Sequence, residues 1–248
     1  MTEQTLTIHL RTQVLTQDNN GHTCWQVVET ERAVPTTDTA LLLCDVWDAH
    51  WSRGASERVE EMVPRLNEVV HTSRDRGVQI IHAPSDTLAF YQDHPARQRI
   101  QETPPIALPL EIEHVDPPLP IDDTDGGSDT GETPWHKAWS RQHAGIEIDP
   151  RVDVISDQGP EIFAFLQQRG IAHLLIAGVH TNMCILNRSF GIKQMVRWGV
   201  DVALVRDLTD AMYNPARSPY VSHEQGTQLV IEYIEKFWRP TLLSQDLT

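Results

Sequence analysis

Hydrophobic and polar positions along this chain follow two patterns in turn. Continuous apolar runs are typical of strands that are covered on both faces, and the chain has four of them, at 40–47, 78–83, 172–179 and 201–207. Apolar residues at helical spacing predict amphipathic helices, and these segments lie at 57–76, 156–170, 184–198 and from Ser222 to Trp238. Since strand and helix alternate, the pattern predicts a parallel sheet with helices packed on it.

The ends of these segments carry residues that start or stop helices. Pro64 lies inside the first helical segment and predicts either a kink or a later start. Gly170 follows the second segment and fits a C-terminal cap, while Ser222 and Gln225 have the spacing of a capping box before the last helix. A short strand is also predicted at 143–148. The resulting fold class is α/β, a Rossmann-like three-layer sandwich with a mainly parallel sheet covered by helices on both faces.

Two segments fall outside this alternation. Residues 5–34 alternate polar and apolar positions around Asn19, Asn20 and Gly21, which predicts a β-hairpin. We therefore divide the chain into an N-terminal hairpin extension, 1–38, and a main domain, 39–248. Within the main domain, residues from about 84 to 134 are rich in proline and include the acidic, turn-rich stretch "PIDDTDGGSDTGETPW". A loop of about 50 residues is unusual in a compact domain unless it is functional. The alternative is an insertion without a role.

Composition restricts the classes of partner. With 20 basic and 35 acidic side chains in 248 residues, the formal charge is 20 − 35 = −15, which gives no electrostatic basis for binding nucleic acid or an anionic membrane. No apolar run approaches the ~20 residues of a membrane span, and "MTEQTLTIHL" does not resemble a signal peptide. The three cysteines, Cys24, Cys44 and Cys184, form no disulfide framework. We therefore expect a cytoplasmic protein.

Chemically active side chains collect where strands of the predicted sheet end. Ligands of open parallel sheets bind beyond the carboxyl ends of the strands. Three strands deliver polar or aromatic residues there, through the stretches "CDVWDAHW", "IHAPSD" and "GVHTNMC". The residues concerned are Asp45, Trp47, Asp48, His50, Trp51, His82, Asp86, His180, Asn182 and Cys184.

Cys184 and Asp45 are the pair with the clearest chemistry. Thr181 can cap the helix that follows, which places Cys184 in its first turn, where the helix dipole favours a thiolate. A carboxylate beside a thiol can take its proton and later pass it to a leaving group. Taken alone, each residue has a plainer interpretation, because a free cysteine usually fills a core and an aspartate at a strand end usually caps a helix or forms a turn.

The sequence resembles the isochorismatase-like cysteine hydrolases, the superfamily of nicotinamidases, N-carbamoylsarcosine amidases and isochorismatases. The resemblance covers about residues 39–238 and is carried by "LLLCDVWDAHW", "QQRGIAHLLIAGVHTNMCILNRSFGIKQM" and "VALVRDLTDA". It implies a catalytic Asp, Lys and Cys, of which Asp45 matches the aspartate and Cys184 the nucleophile. It also implies a cis peptide at Val179–His180 and an oxyanion hole made by the backbone N–H groups of His180 and Cys184.

The implied lysine is where the sequence departs from the family. In the family this lysine ends a strand 30–40 residues before the cysteine, whereas Lys137 precedes Cys184 by 47 residues and the other lysines follow it. Glu147, in "GIEID", lies 37 residues before Cys184, and we expect it to take the place of the lysine. The alternative is that Glu147 is only the polar residue of an edge strand. A second carboxylate would imply a shared proton, a cationic substrate or a metal.

A small-molecule pocket is expected beside these residues. The predicted lining consists of Trp47, His50, Trp51, His82, Asp86, Tyr91, Asn182 and Tyr213, with His180 also available to it. The resemblance places a D-x-H metal motif after the second strand, but Leu88 replaces its histidine, whereas Asp48 and His50 form such a motif elsewhere, near His82 and His94. The metal ligands are therefore unknown. No cofactor is required, and a divalent metal is allowed but not favoured.

The expected function is hydrolysis of a C–N bond in a small amide through a thioester. Asp45 would be the general acid and base, Cys184 the most reactive of the three cysteines, and Glu147 a residue that tunes the site. Two other functions stay open, a vinyl-ether hydrolase of the isochorismatase type and a catalytically altered protein that only binds a small molecule. The expected partners are a small-molecule substrate and further copies of the chain, in a homo-oligomer, with no nucleic acid and no membrane.

Overall fold

The computed structural model of the chain describes residues 4–132 and 136–248. It contains one sheet of eight strands in the order β2-β1-β8-β7-β6-β3-β4-β5. The six strands from β8 to β5 are parallel, and β1 pairs antiparallel with both β2 and β8. The strands are β1 Thr5–Gln17, β2 Thr23–Pro35, β3 Thr39–Cys44, β4 Gln79–Ala83, β5 Val154–Ile155, β6 His173–Val179, β7 Asp201–Asp210 and β8 Thr241–Leu242.

Helices cover both faces of this sheet. They are α1 Arg53–Asp75, α2 Pro95–Gln101, α3 Gly159–Arg169, α4 Cys184–Asn187, α5 Ile192–Arg197 and α6 His223–Phe237. Leu41 and Leu43 of β3 pack in a core with α1, whereas Leu42 and Cys44 pack in a second core with α3 to α6. Because alternate residues of β3 enter opposite cores, all six of its residues are buried. This confirms the predicted three-layer α/β sandwich.

The helix ends agree in part with the sequence signals. Ser52 caps α1 by accepting a hydrogen bond from the backbone N–H of Ala55, so the helix begins earlier than predicted and continues through Pro64. Ser222 and Gln225 form the predicted capping box on α6. Gly170 ends α3 in the left-handed conformation, at φ 69°, which is a favourable conformation for glycine.

The predicted hairpin is present but is continuous with the main sheet. The two strands pair from Thr5 with Pro35 to Gln17 with Thr23, and Arg11 pairs with Thr241 of β8. The short strand β8 has no signal in the apolar pattern, since it contains only two residues after Pro240. It links the hairpin to the parallel strands.

The segment between β4 and β5 differs from its prediction. Residues 143–148 form no strand, and a single antiparallel bridge joins Gln142 to Trp47 nearby. The strand in this region is β5, which pairs with β4 through only two residues. The long acidic loop predicted at 84–134 contains helix α2 near its start, because Pro95 begins the helix and His94 caps it by accepting a hydrogen bond from the N–H of Ala96.

The helix predicted at 184–198 is broken into α4 and α5. The backbone of Arg188 is extended at the end of α4, and α5 begins after Gly191. A side chain at Gly191 would place its Cβ 2.7 Å from the carbonyl oxygen of Ile185 and 3.0 Å from the backbone nitrogen of Arg188. The absence of a Cβ therefore permits the close turn that separates the two helices.

Candidate active site

Asp45 lies directly after β3, where the parallel strands end. Its carboxylate is fully buried and accepts hydrogen bonds from the backbone N–H of Ser85 at 2.7 Å and from Nε of Arg188 at 3.0 Å. The chain turns sharply here, with a φ of 50° at Asp45. Since a buried carboxylate is costly without partners, these contacts explain how it is held after an apolar strand.

Cys184 lies at the start of α4, beside Asp45. The thiol forms a hydrogen bond with the Asp45 carboxylate, and the backbone N–H of His180 points at the sulfur. Thr181 does not cap the helix as predicted, because its hydroxyl pairs with that of Thr209 at 2.7 Å and Met183 occupies the cap position without a side-chain bond. The nucleophile and acid/base candidates of the sequence are therefore in direct contact.

Arg188 supplies the positive charge of this cluster. Its Nε contacts Oδ2 of Asp45, Nη2 lies 3.5 Å from Oδ2 of Asp86, and the guanidinium stands 5.9 Å from the centre of a Trp47 ring. The residue is four positions after Cys184, so one helical turn brings the two side chains to the same side. The cation beside the thiol and carboxylate thus comes from the segment after the cysteine.

The prediction that Glu147 takes the place of the lysine is wrong. The Glu147 carboxylate is 56% exposed. It pairs with Nε2 of His71 at 3.0 Å and with Nη1 of Arg74 at 3.9 Å. Both partners lie on α1. Residues 143–148 form no strand, so Glu147 is not directed to the end of the sheet where Cys184 lies. Lys137 is not the missing cation either, since its Nζ donates to the backbone carbonyl of Asp86.

The charges of the cluster shift the acidity of both reacting groups. Burial raises the pKa of the Asp45 carboxyl, and this outweighs Arg188 and the hydrogen bonds from Cys184 and Ser85, which lower it. Burial and the Asp45 charge raise the pKa of the Cys184 thiol, and Arg188 opposes them. The net shift of the Cys184 pKa is therefore opposite to the effect predicted for the helix dipole. Its direction favours the protonated thiol beside Asp45.

Two backbone N–H groups lie where the sequence places an oxyanion hole. The peptide bond Val179–His180 is cis, as predicted. The N–H of His180 faces the Cys184 sulfur, and the N–H of Cys184 belongs to the first residue of α4, a position without an intrahelical acceptor. Donors so placed suit an oxygen that becomes negative on a carbon bound to the sulfur.

A cavity of about 540 Å³ opens beside Cys184 and Arg188. Its walls are largely aromatic and sulfur-containing. Trp47 stacks on Trp139, with ring centres 4.0 Å apart, and His50 lies parallel to Trp139 at 5.9 Å. Further lining comes from Trp51, Asp86, His180, Met183 and Met212. Such a cavity, apolar with a few convergent polar groups, is typical of a small-molecule site.

Four residues predicted to line the pocket lie elsewhere. His82 is fully buried, and its ring bonds Gln142 at 2.9 Å and Asp153 at 3.1 Å. The hydroxyl of Tyr91 accepts the N–H of Gln142, and Tyr213 lies in the core under α6 with its hydroxyl on the carbonyl of Arg217. Asn182 bonds Met212 and Asp123, and it lines a second cavity that shares Cys184 and Arg188 with the first one.

The histidines and carboxylates suggested as metal ligands are used otherwise. Within 4–132 and 136–248, no three His, Cys, Asp or Glu side chains converge in a way that would hold an ion. Asp48 accepts hydrogen bonds from the N–H and hydroxyl of Ser140, while His94 caps α2.

No helix of the described part of the chain has the length and apolar character needed to cross a membrane.

The fold occurs in known proteins. A cysteine hydrolase from Pseudomonas syringae pv. phaseolicola 1448A superposes with a TM-score of 0.54 at 14% identity, over 86% of this chain and 92% of that one. An isochorismatase from Pseudomonas putida KT2440 gives 0.52 at 12% identity, over 87% and 92%. The chain has the isochorismatase-like fold. The predicted likeness to isochorismatase-like proteins is thus confirmed for the fold, while no family model and no curated protein sequence matches the chain.

Proposed function

We propose that this protein is a cysteine hydrolase that cleaves the C–N bond of a small amide through a thioester. One observation carries the proposal: the Cys184 thiol is hydrogen-bonded to the buried Asp45 carboxylate, which is held in place by Arg188. The cavity beside the sulfur gives a small substrate access to the pair. The proteins of the same fold named above, a cysteine hydrolase and an isochorismatase, support a hydrolytic reaction.

Every proton transfer of the reaction would pass through Asp45. As the sulfur attacks the amide carbon, its proton passes to Asp45 and an S–C bond forms. When the C–N bond breaks, Asp45 returns that proton to the leaving amine. Water then attacks the thioester, giving one proton to Asp45, which passes it to the departing sulfur as the acid is released. Each half-reaction leaves Asp45 as it began, and no cofactor is needed.

The raised pKa values of Cys184 and Asp45 fit this cycle. Because burial and Asp45 raise the pKa of Cys184, the thiol keeps its proton until a carbonyl carbon is at hand. Because burial raises the pKa of Asp45, the carboxyl can hold that proton while the leaving amine forms. Arg188 keeps the carboxylate oriented towards the sulfur. The N–H groups of His180 and Cys184 would stabilise the tetrahedral oxyanion.

An acyl-enzyme is the test of this proposal. The wild-type protein is incubated with a panel of primary amides and activated esters, quenched in acid and weighed intact. We expect a mass increase equal to the acyl group, on Cys184 and absent from Cys184→Ala. The Asp45→Asn variant should turn over amides roughly 10²–10⁴ times more slowly. Cys24→Ser is the matched control, since Cys24 lies on the hairpin and should leave turnover unchanged.

The outcomes separate the open alternatives. Hydrolysis of vinyl ethers that persists in Cys184→Ala but not in Asp45→Asn would replace the amide proposal with the isochorismatase type of reaction. Stable binding of small molecules without any turnover would identify a protein that only binds its ligand. An acyl group found on Cys24 or Cys44 instead of Cys184 would overturn the assignment of the nucleophile.

A further inference from the structure

The acidic loop reaches the cavity, where the path of its backbone is fixed by contacts with the rest of the domain. Gly126 lies against the ring of Trp51, since a Cβ there would be 3.2 Å from it. Most of the aspartates in the loop are used as anchors. Each of these aspartates contacts a side chain outside the loop, and the pairs are Asp122 with Arg217 at 2.8 Å, Asp123 with Asn182 at 2.8 Å, Asp125 with Asn214 at 3.0 Å and Asp129 with Arg58 at 2.8 Å.

Glu132 differs from these aspartates. It lines the cavity, and its Oε2 accepts hydrogen bonds from the hydroxyls of Ser128 at 2.8 Å and Thr130 at 2.5 Å. These two hydroxyls lower the pKa of the Glu132 carboxyl to about 2, so it is ionised at neutral pH. No Lys, Arg or His side chain among residues 4–132 and 136–248 forms a salt bridge with it. Glu132 thus places a negative charge at the cavity that no cationic side chain of the described residues neutralises.

The charge of the cavity lining is negative as a whole. Among the residues that line the cavity, Asp86, Asp125 and Glu132 carry three negative charges and Arg188 carries one positive charge, which gives 1 − 3 = −2. Asp86 and Asp125 have arginine partners, Arg188 at 3.5 Å and Arg217 at 3.9 Å, so Glu132 is the carboxylate of this lining without an ion pair in the described part of the chain. Arg188 is already shared between Asp45 and Asp86. The two imidazoles of the lining add no positive charge at neutral pH, because burial lowers the pKa of His50 to about 4 and that of His180 to about 3.

A second feature points to a polar ligand in the same place. His180 is only 2% exposed, and its Nε2 is buried without a hydrogen-bond partner in the described part of the chain. The ring lines the cavity beside His50. Since an unpaired buried polar atom is costly, a bound molecule that offers a hydrogen bond would satisfy it. Depending on its tautomer, Nε2 of the neutral ring can accept a hydrogen bond from an N–H group or donate one to a carbonyl oxygen.

The aromatic walls suit a positive charge as well as a planar group. The face of an indole ring attracts cations, and Trp47 already has the Arg188 guanidinium 5.9 Å from its ring centre. Trp51 and Trp139 line the same space. Organic cations bind favourably to aromatic faces and to carboxylates. The aromatic wall and Glu132, which has no ion pair among the described residues, provide both.

We propose that the substrate is an amide that carries a cationic group, an ammonium or amidinium, which Glu132 and the aromatic wall recognise. The inference rests on the proposed amide hydrolysis and specifies the class of its substrate. Glu132 is a specificity-determining residue and takes no part in the bond-breaking steps. An anionic amide would instead be repelled, and a neutral one bound less tightly than its cationic isostere.

The test uses two amides of one shape, 4-(trimethylammoniomethyl)benzamide and its uncharged carbon analogue 4-(2,2-dimethylpropyl)benzamide, with 4-carbamoylbenzoate as the anion. Binding to Cys184→Ala is measured by calorimetry, and turnover by the wild-type protein is measured by the release of ammonia. We expect the cation to bind about tenfold more tightly than the neutral analogue. Glu132→Gln should reduce this ratio about fivefold and leave the neutral amide unchanged, whereas Glu29→Gln, on the exposed hairpin strand β2, should alter neither. Added salt should also reduce the ratio.

Failure of this inference and failure of the proposed function give different results. Equal binding of cation and neutral analogue, or preference for 4-carbamoylbenzoate, would overturn the cationic class even if all three amides are hydrolysed. A Glu132→Gln ratio equal to that of the wild type would overturn the role of Glu132. Binding that favours the cation, with no turnover and no acyl-enzyme from any amide, would support the recognition of cations and overturn the hydrolytic proposal.

Discussion

Removal of the guanidinium of Arg188 should expose how far the buried carboxylate depends on it. In Arg188→Met a side chain of similar length and apolar character remains, but Asp45 loses the partner at 3.0 Å. Asp45 is fully buried and Arg188 is 31% exposed. Leaving one buried charge without its partner typically costs about 3–5 kcal/mol. Because Arg188 is partly open to solvent, we expect the lower end of that range, about 3 kcal/mol.

The loss should depend on pH in a defined direction. Burial already raises the pKa of Asp45 above its unfolded value, so the protonated carboxyl favours folding below that value, and the advantage is lost as pH rises through the folded pKa. Arg188 lowers the pKa of Asp45, so its removal raises it further. The destabilisation of Arg188→Met relative to wild type should therefore be largest at neutral and alkaline pH and shrink on acidification towards the unfolded value of about 3.9.

Thermal and urea unfolding of a double-mutant cycle measure this dependence. A loss of about 3 kcal/mol corresponds to a fall in Tm of about 6–12 °C for a chain of this size. Asp45→Asn introduced into Arg188→Met should restore part of the stability, since it removes the unpaired charge. Glu147→Gln is the matched control and should change stability by less than about 1 kcal/mol, because Glu147 is 56% exposed. Additive effects of Asp45→Asn and Arg188→Met at pH 8, or a loss that does not vary with pH, would refute the reasoning.

Two further predictions follow from the cluster. Asp45→Asn should increase the rate of Cys184 alkylation by iodoacetamide at pH 7–8 although it slows turnover, because the Asp45 charge raises the pKa of the thiol; an unchanged rate measured by mass spectrometry would show that the two groups are not coupled. Gly191→Ala should destabilise the protein by about 1–3 kcal/mol and reduce turnover, since its Cβ would crowd Ile185 and Arg188. Gly170→Ala, in open space at the end of α3, should reduce stability and leave turnover intact, and equal turnover in both variants would contradict the role given to the turn at Gly191.

The fold could be predicted from sequence to a large extent because its central strands are buried on both faces. Continuous apolar runs identify β3, β4, β6 and β7, and the capping box identifies the start of α6. The two-residue strands β5 and β8 could not be found in this way. They are too short to show a pattern, and their pairing depends on where neighbouring strands place them.

The candidate site was predictable only for residues next to a strong motif. Asp45 and Cys184 follow buried strands, and the structure brings them into contact. The family pattern does not indicate Arg188, because the family's lysine precedes the cysteine, whereas Arg188 follows Cys184 by four residues. Glu132 could not be found, since no local pattern fixes the path of the acidic loop and its anchors lie in distant parts of the chain.

The break between α4 and α5 has a consequence for the order in which the site is assembled. The nucleophile and its counter-charge belong to the single stretch from Cys184 to Arg188, so a turn formed early by local contacts would already hold them at their final separation. The walls of the cavity, by contrast, depend on Trp139 and Glu132, which come from segments far away in the chain. Local opening of those segments would abolish selection among substrates while the reactive pair stays intact.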